Sequence, residues 1–254
     1  MSRLRMLIEY DGTNYVGWQR QSNGVSVQQR VEEALSIAYG VPCIIHGAGR
    51  TDAGVHASGQ CAHVELPAGA HQIPIEKAVV AINTRLPKDV RILSVQRVHD
   101  GFHARFDAIW REYVYSIAIE PSVFNRLTSW HPDLPYDREL FEEALCHMRG
   151  RHNFTAFSKS NPDTTSYVCD LQICQSRING GILEVQLRAD RFVYGMCRAI
   201  IGASMSVARQ RLSIEELIAL RDSAERRIPP SLAPAHGLCL VGVGYEPDSV
   251  RATT

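Results

Sequence analysis

Between Arg3 and Tyr10 the chain alternates Leu4, Met6, Ile8 and Tyr10 with charged residues at 3, 5 and 9, the period-two pattern of a half-buried strand. After it, Val27, Val31, Leu35 and Ala38 recur at helical spacing. Ser26 with Gln29 three residues on predicts a capping box, and Gly40 predicts the stop. Gln60 to Leu66 reads as a strand, Ile75 to Thr84 as a second helix and Val90 to His99 as another strand. The first half closes near Asp107.

The second half repeats the mixture. Tyr113, Tyr115 and Ile117 alternate along a strand from Arg111 to Ile119. Asp137 caps a helix carrying Leu140, Phe141, Ala144, Leu145 and Met148, with Gly150 closing it. Ser166 to Ser176 and Ile182 to Ala189, joined across Asn179-Gly180-Gly181, predict a β-hairpin. Arg191 to Arg209 predicts a long, mostly apolar helix, Ser213 with Glu216 starts another, and Gly237 to Tyr245 reads as a final strand. Alternating strands and helices with one clear hairpin give an α+β class with a largely antiparallel sheet.

Composition narrows the class without naming it. With 254 residues, 45% apolar and 21% charged, the chain has the make-up of an ordinary globular protein able to bury a sizeable core. No apolar run approaches the roughly 18 residues of a membrane span, and the first ten residues read as a strand, not a signal peptide. Seven scattered cysteines, with no C-x-x-C, give poor support to a disulfide framework or an ordinary zinc site and suit a reducing cytoplasm. Net charge is zero, which argues against a uniformly basic nucleic-acid binder. Yet lysine occurs only at 77, 88 and 159, so 24 of the 27 basic side chains are arginine. Arginine makes planar, bidentate contacts to phosphate, although a codon preference explains the bias equally well. An RNA partner would require the positive charge to be gathered on one face.

The segment Gly47 to Gln60, GAGRTDAGVHASGQ, sets Arg50 and Asp52 two residues apart among small residues. Its glycines allow close approach to the main chain. With no second carboxylate until Glu65, Asp52 has the look of a lone nucleophile. Its other reading is an aspartate capping a turn beside glycine.

The string is also specific. It resembles the catalytic motif of the TruA family of tRNA pseudouridine synthases, and the likeness runs nearly end to end. YDGTNYVGWQRQ at Tyr10 to Gln21, SVQ at Ser26 to Gln28, Asn83 with Leu86-Pro87, FHARF at Phe102 to Phe106 and REYVY at Arg111 to Tyr115 resemble successive family blocks. So do GRHNFTAF at Gly150 to Phe157, FVYGMCRAIIG at Phe192 to Gly202 and the ending APAHGLCLVGVGY at Ala233 to Tyr245.

The resemblance implies a pseudouridine synthase fold. It would consist of two similar α/β halves, 1–107 with the Asp52 loop and 108–254 with the tyrosine strand and arginine helix, a joined sheet, and an active cleft between the halves. It implies isomerisation of uridine in the anticodon stem-loop of tRNA, at positions 38 to 40, by a homodimer that needs no metal or cofactor. Residue by residue, Asp52 matches the nucleophile, Tyr113 the tyrosine packed on the target base, and Arg198 the basic partner of the aspartate. Tyr115 lies in the same direction along the strand, and Arg198 could instead be a helix surface charge, although its neighbours are apolar. Arg50 is expected at RNA phosphate or in opening the target nucleotide, and Arg20, Arg105, Arg111 and Arg191 are further candidate RNA contacts. Cys197 stands where the family often has valine, and the 158–165 loop has no clear match.

Other readings fare worse. His63-Val64-Glu65 has the H-x-E of zinc deaminases but no P-C-x-x-C. Gly47 and Gly49 begin a dinucleotide fingerprint whose third glycine position is Asp52. A retaining glycosidase needs a second carboxylate about 5 Å from the first, and nothing local supplies it. The alternative from another class is a non-catalytic tRNA-binding or RNA-folding protein of the same fold, against which the intact Asp52, Tyr113 and Arg198 argue.

Overall fold

The computed structural model describes residues 2–162, 164–225 and 232–247, and Asp163 of the 158–165 loop lies outside them. The chain forms two compact units. In the first, strand β1 (Ser2–Tyr10) buries Leu4, Met6, Ile8 and Tyr10 as its alternation predicts. Helix α1 (Val27–Tyr39) follows, with the Ser26 side chain accepting from the Gln29 amide and Gly40 left-handed at its end, φ 72°. The capping box is only half made: the Gln29 amide group reaches forward to Glu33 Oε1 at 2.8 Å instead of back to Ser26. Strand β2 (Ile45–Gly47), too short to announce itself by periodicity, pairs antiparallel with β3 (His56–Leu66). Helix α2 (Ile75–Asn83) and strand β4 (Val90–Val98) complete this stretch, and β1 pairs antiparallel with both β3 and β4. Asn83 ties α2 to β4: its side chain both donates to and accepts from the Ile92 backbone at 2.8 Å.

The strands of the second unit pair antiparallel, with one isolated parallel bridge between Ile117 and Trp130. Strands β5 (Ala108–Ala118), β6 (Gly150–Asn153), β7 (Val168–Asn179) and β8 (Ile182–Ala189) pair in the order β5-β8-β7-β6. The β7–β8 hairpin turns through Gly180 and Gly181, φ 55° and 80°, the pair of positive angles that a two-residue turn of its hand requires. Helix α3 (Arg138–Met148) starts at the Asp137 cap and packs on helix α4 (Met196–Ala208). It stops at Met148, two residues before Gly150, which instead opens β6. Helix α5 (Ile214–Asp222) has the complete capping box of Ser213 and Glu216.

The helix expected over 191–209 is shorter than its apolar run. Residues 190–194 form a loop, and Gly195, φ 79°, turns the chain into α4 from a left-handed conformation. The apolar residues Phe192 and Val193 extend the pattern without extending the helix.

A second difference concerns the division at 107/108. The last strand, β9 (Leu238–Tyr245), belongs to the first unit from Cys239 onward, so a contiguous second half ending at the C terminus does not describe the compact units. It pairs in parallel with β3 at His56–Cys239 and Ala57–Leu240. Gly59 permits the approach, since a methyl there would sit 2.2 Å from the Val241 carbonyl oxygen. Val243 and Tyr245 then cover a cluster of Ala48, Cys61, Val98, Phe102 and Ala104, and the Tyr245 hydroxyl donates to the Ala104 carbonyl at 2.7 Å. This burial is long-range in sequence, which is why a linear reading places the strand with its neighbours. The class stands as expected: mixed helix and strand, with mostly antiparallel pairing.

Candidate active site

The Asp52 loop is fixed by residues that the sequence separates widely. Tyr10, at the end of β1, is 4% exposed, and its phenol lies 2.8 Å from the Thr51 hydroxyl. Burial pushes the Tyr10 phenol well up from its ordinary value. The Trp18 amide donates to the Thr51 carbonyl at 3.0 Å, and Gln60 reaches the Gly49 carbonyl at 2.9 Å. Gly17, φ 110°, lets these segments touch, because a methyl there would sit 2.6 Å from the Thr51 carbonyl oxygen. Immediately after, the Val55 amide closes a turn on the Asp52 carbonyl through Gly54, φ 76°. The Asp52 backbone starts a turn, and the half-buried residue sits on a loop braced from both sides.

The start of the YDG segment is braced too. Burial draws the Asp11 carboxyl up, but hydrogen bonds from the Thr13 hydroxyl and amide, with His56 alongside, outweigh it and hold Asp11 below its ordinary value. Tyr15 donates to Asp89 at 2.7 Å, and burial first, then that carboxylate, pushes its phenol up. Of the other candidates on this unit, Arg50 is exposed, Arg20 lies 3.8 Å from the buried Glu32, and Arg105 stacks over Phe106 at 5.8 Å.

On the second unit, Tyr113 faces Leu187 across the β5–β8 register and is 7% exposed, its ring meeting Phe192 edge-on at 5.1 Å. Tyr115 is fully buried, and its hydroxyl is committed to the Pro234 carbonyl at 2.9 Å. Both tyrosines are buried, Tyr115 the more completely. Asp190 organises the loop beside Tyr113. Its carboxylate accepts from the Asp170 and Arg191 amides at 2.9 and 2.7 Å, and its carbonyl accepts from Arg111 at 3.0 Å. Arg111, Tyr113 and Arg191 are thus gathered around one loop. Arg198, in the first turn of α4, donates from Nε to the Ala233 carbonyl at 2.7 Å, and the Ala233 amide returns a bond to the Arg198 carbonyl at 3.1 Å. It is half-buried, not a solvated surface charge.

Sequence reasoning missed Asp190 and the contact of the 158–165 loop. Lys159 donates its amide to the Tyr194 carbonyl at 2.8 Å and sets its ammonium 5.0 Å from the Tyr194 ring. An aspartate between a strand and an apolar run, next to an arginine, was the available signal.

A family model described as tRNA pseudouridine synthase matches residues 6–107 and 144–246. A protein of Akkermansia muciniphila named tRNA pseudouridine synthase A is 38% identical over 96% of this chain and 96% of its own length. Proteins of the same name from Picosynechococcus, 35% identical over 96% of this chain and 89% of theirs, and from Paramagnetospirillum magneticum, 36% identical over 96% of both, are similarly related.

Proposed function

The chain belongs to the tRNA pseudouridine synthase family, and from that premise we propose that it isomerises uridine to pseudouridine in the anticodon stem-loop of tRNA, at positions 38 to 40, with Asp52 as nucleophile. That it is an isomerase acting on tRNA follows from the family; the position and the residue roles are our reading. The observation that carries it is the bracing of the Asp52 loop by Tyr10, Trp18 and Gln60, which presents one half-buried carboxylate on a rigid support.

The reaction breaks the N1–C1′ bond, turns the uracil and joins C5 to C1′, while a proton leaves C5 and N1 gains one. No oxidant, reductant or energy source enters the balance. Asp52 is the nucleophile and Arg198 the basic residue of the same reaction. Tyr113 packs on the uracil, its phenol available for the proton. The target must leave its stack to be reached. Arg20, Arg50, Arg105, Arg111 and Arg191 contact RNA phosphates, and two copies of the chain hold one tRNA in the cytoplasm.

Tritium release from tRNA labelled at uridine C5 tests the reading. The wild type should release label that maps to the anticodon arm, and Asp52→Ala should release none while keeping most of its tRNA affinity. Equal release by both proteins would remove Asp52 from the chemistry. Binding without release by the wild type on unmodified tRNA would favour a non-catalytic tRNA-binding protein.

A further inference from the structure

Apart from the Asp52 loop, the first unit carries a pocket of about 360 Å³, lined by Arg3, His46, His63 and His103 together with Pro42 and Ile44. Its size falls within the roughly 300–1,000 Å³ of small-molecule sites. Strands β1, β2 and β3 and the Phe102–Phe106 loop each contribute a polar side chain to it.

The three imidazoles are packed together. His63 lies 5.1 Å from His46 and 4.7 Å from His103, centroid to centroid, and His46 lies 5.7 Å from His103. Such a trio invites a metal, but the backbone argues otherwise. The Ala104 amide donates to His63 Nδ1 at 3.1 Å, and the Arg105 and Phe106 amides donate to His103 Nδ1 at 3.1 and 3.3 Å. An amide hydrogen pointing at Nδ1 excludes a proton there, so each neutral ring carries its proton on Nε2. A metal taking Nε2 would drive that proton to an Nδ1 already facing an amide hydrogen. In keeping with this, among the described residues no three His, Cys, Asp or Glu side chains are arranged to hold a metal ion. The fixed tautomers make both rings donors.

Arg3 adds to the donor side. Its Nη1 is held by the Phe102 carbonyl at 2.7 Å and its Nη2 by Glu65 at 3.0 Å, while its buried Nε has no hydrogen-bond partner. Glu65 is half-exposed, at the rim. The lining thus offers a guanidinium and two Nε2–H groups, with the exposed Pro42 and Ile44 among the same residues. Donors beside apolar side chains suit an anionic acceptor joined to an apolar body.

We propose that this pocket binds a phosphate ester, with Arg3, His63 and His103 as donors to the phosphate oxygens and Pro42 and Ile44 against the group that carries it. The ester is either a free mononucleotide or one unit of an RNA backbone. The proposal goes beyond the synthase reading and does not depend on turnover.

The test follows the ring protons of His63 and His103 by NMR while inorganic phosphate, adenosine monophosphate or chloride at matched ionic strength is added. Phosphate and adenosine monophosphate should shift both rings saturably, the nucleotide at lower concentration, and chloride should not. His63→Asn and His103→Asn keep an acceptor for the backbone amide in the Nδ1 position but delete the donor, and each should weaken binding at least tenfold. Glu65→Gln removes the competing carboxylate and should tighten it severalfold. Rings that phosphate and the nucleotide move no more than chloride does would overturn the proposal. With binding established, tRNA affinity against salt identifies the source. A salt slope reduced by about one in Arg3→Gln assigns the pocket to an RNA phosphate. An unchanged slope assigns it to a free nucleotide. The chemistry of uridine isomerisation is read separately by tritium release at saturating tRNA, so a failure there leaves this result standing.

Discussion

The phenol of Tyr10 and the hydroxyl of Thr51 share a buried hydrogen bond of 2.8 Å, linking the end of the first strand to the residue that precedes the candidate nucleophile. Tyr10→Phe removes one partner and leaves the Thr51 hydroxyl buried without it. The expected cost is about 1–3 kcal/mol of stability. Turnover should fall further than tRNA affinity, because the loop loses its support while the arginines proposed to contact RNA stay. Denaturant unfolding and tritium release on the same preparation check both; unchanged turnover would mean that this bond does not position Asp52.

Gly17 is required for two reasons at once, its φ of 110° and its contact with the Thr51 carbonyl. Gly17→Ala should cost on the order of 1–3 kcal/mol from the backbone conformation alone, with further loss from the overlap. A crystal structure of the variant should show the Thr51–Asp52 backbone displaced. A protein as stable and active as the wild type would show that the approach is not needed.

Arg198→Lys keeps the charge but cannot supply an Nε–H to the Ala233 carbonyl. On the proposed role, turnover should drop by roughly 10²-fold, in the range found when one stabilising donor is lost, and thermal stability should fall slightly. Single-turnover rates separate the two effects. A lysine variant with the wild-type rate would make Arg198 a tether for the 232–234 segment alone.

Burial, reinforced by His103 and His46 and by the charge of Arg3, lowers His63 to about 4, against a smaller opposing pull from Asp107. The folded protein therefore holds this ring neutral where the unfolded chain, titrating near 6.5, takes up a proton. Its contribution is fully present above pH 6.5 and is lost as pH falls toward 4, on the order of 3 kcal/mol across the window. Urea unfolding at pH 7 and at pH 4.5 should show the wild type losing more stability than His63→Asn, which keeps the Ala104 amide paired. Equal losses would place the acid sensitivity elsewhere.

The sequence was most legible where local chemistry decides the structure. The alternation in Arg3 to Tyr10, the Ser213–Glu216 box and the paired glycines at 180–181 all act within a few residues, and each forms as expected. Legibility failed where tertiary contacts override the pattern. Phe192 and Val193 continue an apolar run, but Asp190 and Gly195 bend their backbone into a loop. Gln29 had two amide partners within reach and took Glu33. At the candidate site, the identities of Asp52, Tyr113 and Arg198 came through family-like motifs, whereas the hydrogen bonds that brace Thr51 depend on Tyr10 and Trp18, far away in sequence. The imidazole cluster was hidden for the same reason: His46, His63 and His103 come from three separate segments.

Strand β9 has a consequence for biosynthesis. One edge of β3 is lined by β1, and the other is shared between β2 at residues 62–64 and β9 at residues 56–57. The β9 share is left open until Cys239 and Leu240 have emerged from the ribosome. A product truncated before Cys239 would expose that stretch of backbone and uncover Phe102, offering an adhesive edge to chaperones and proteases. The unit that holds the Asp52 loop is thus finished only after the whole of the second unit has been synthesised.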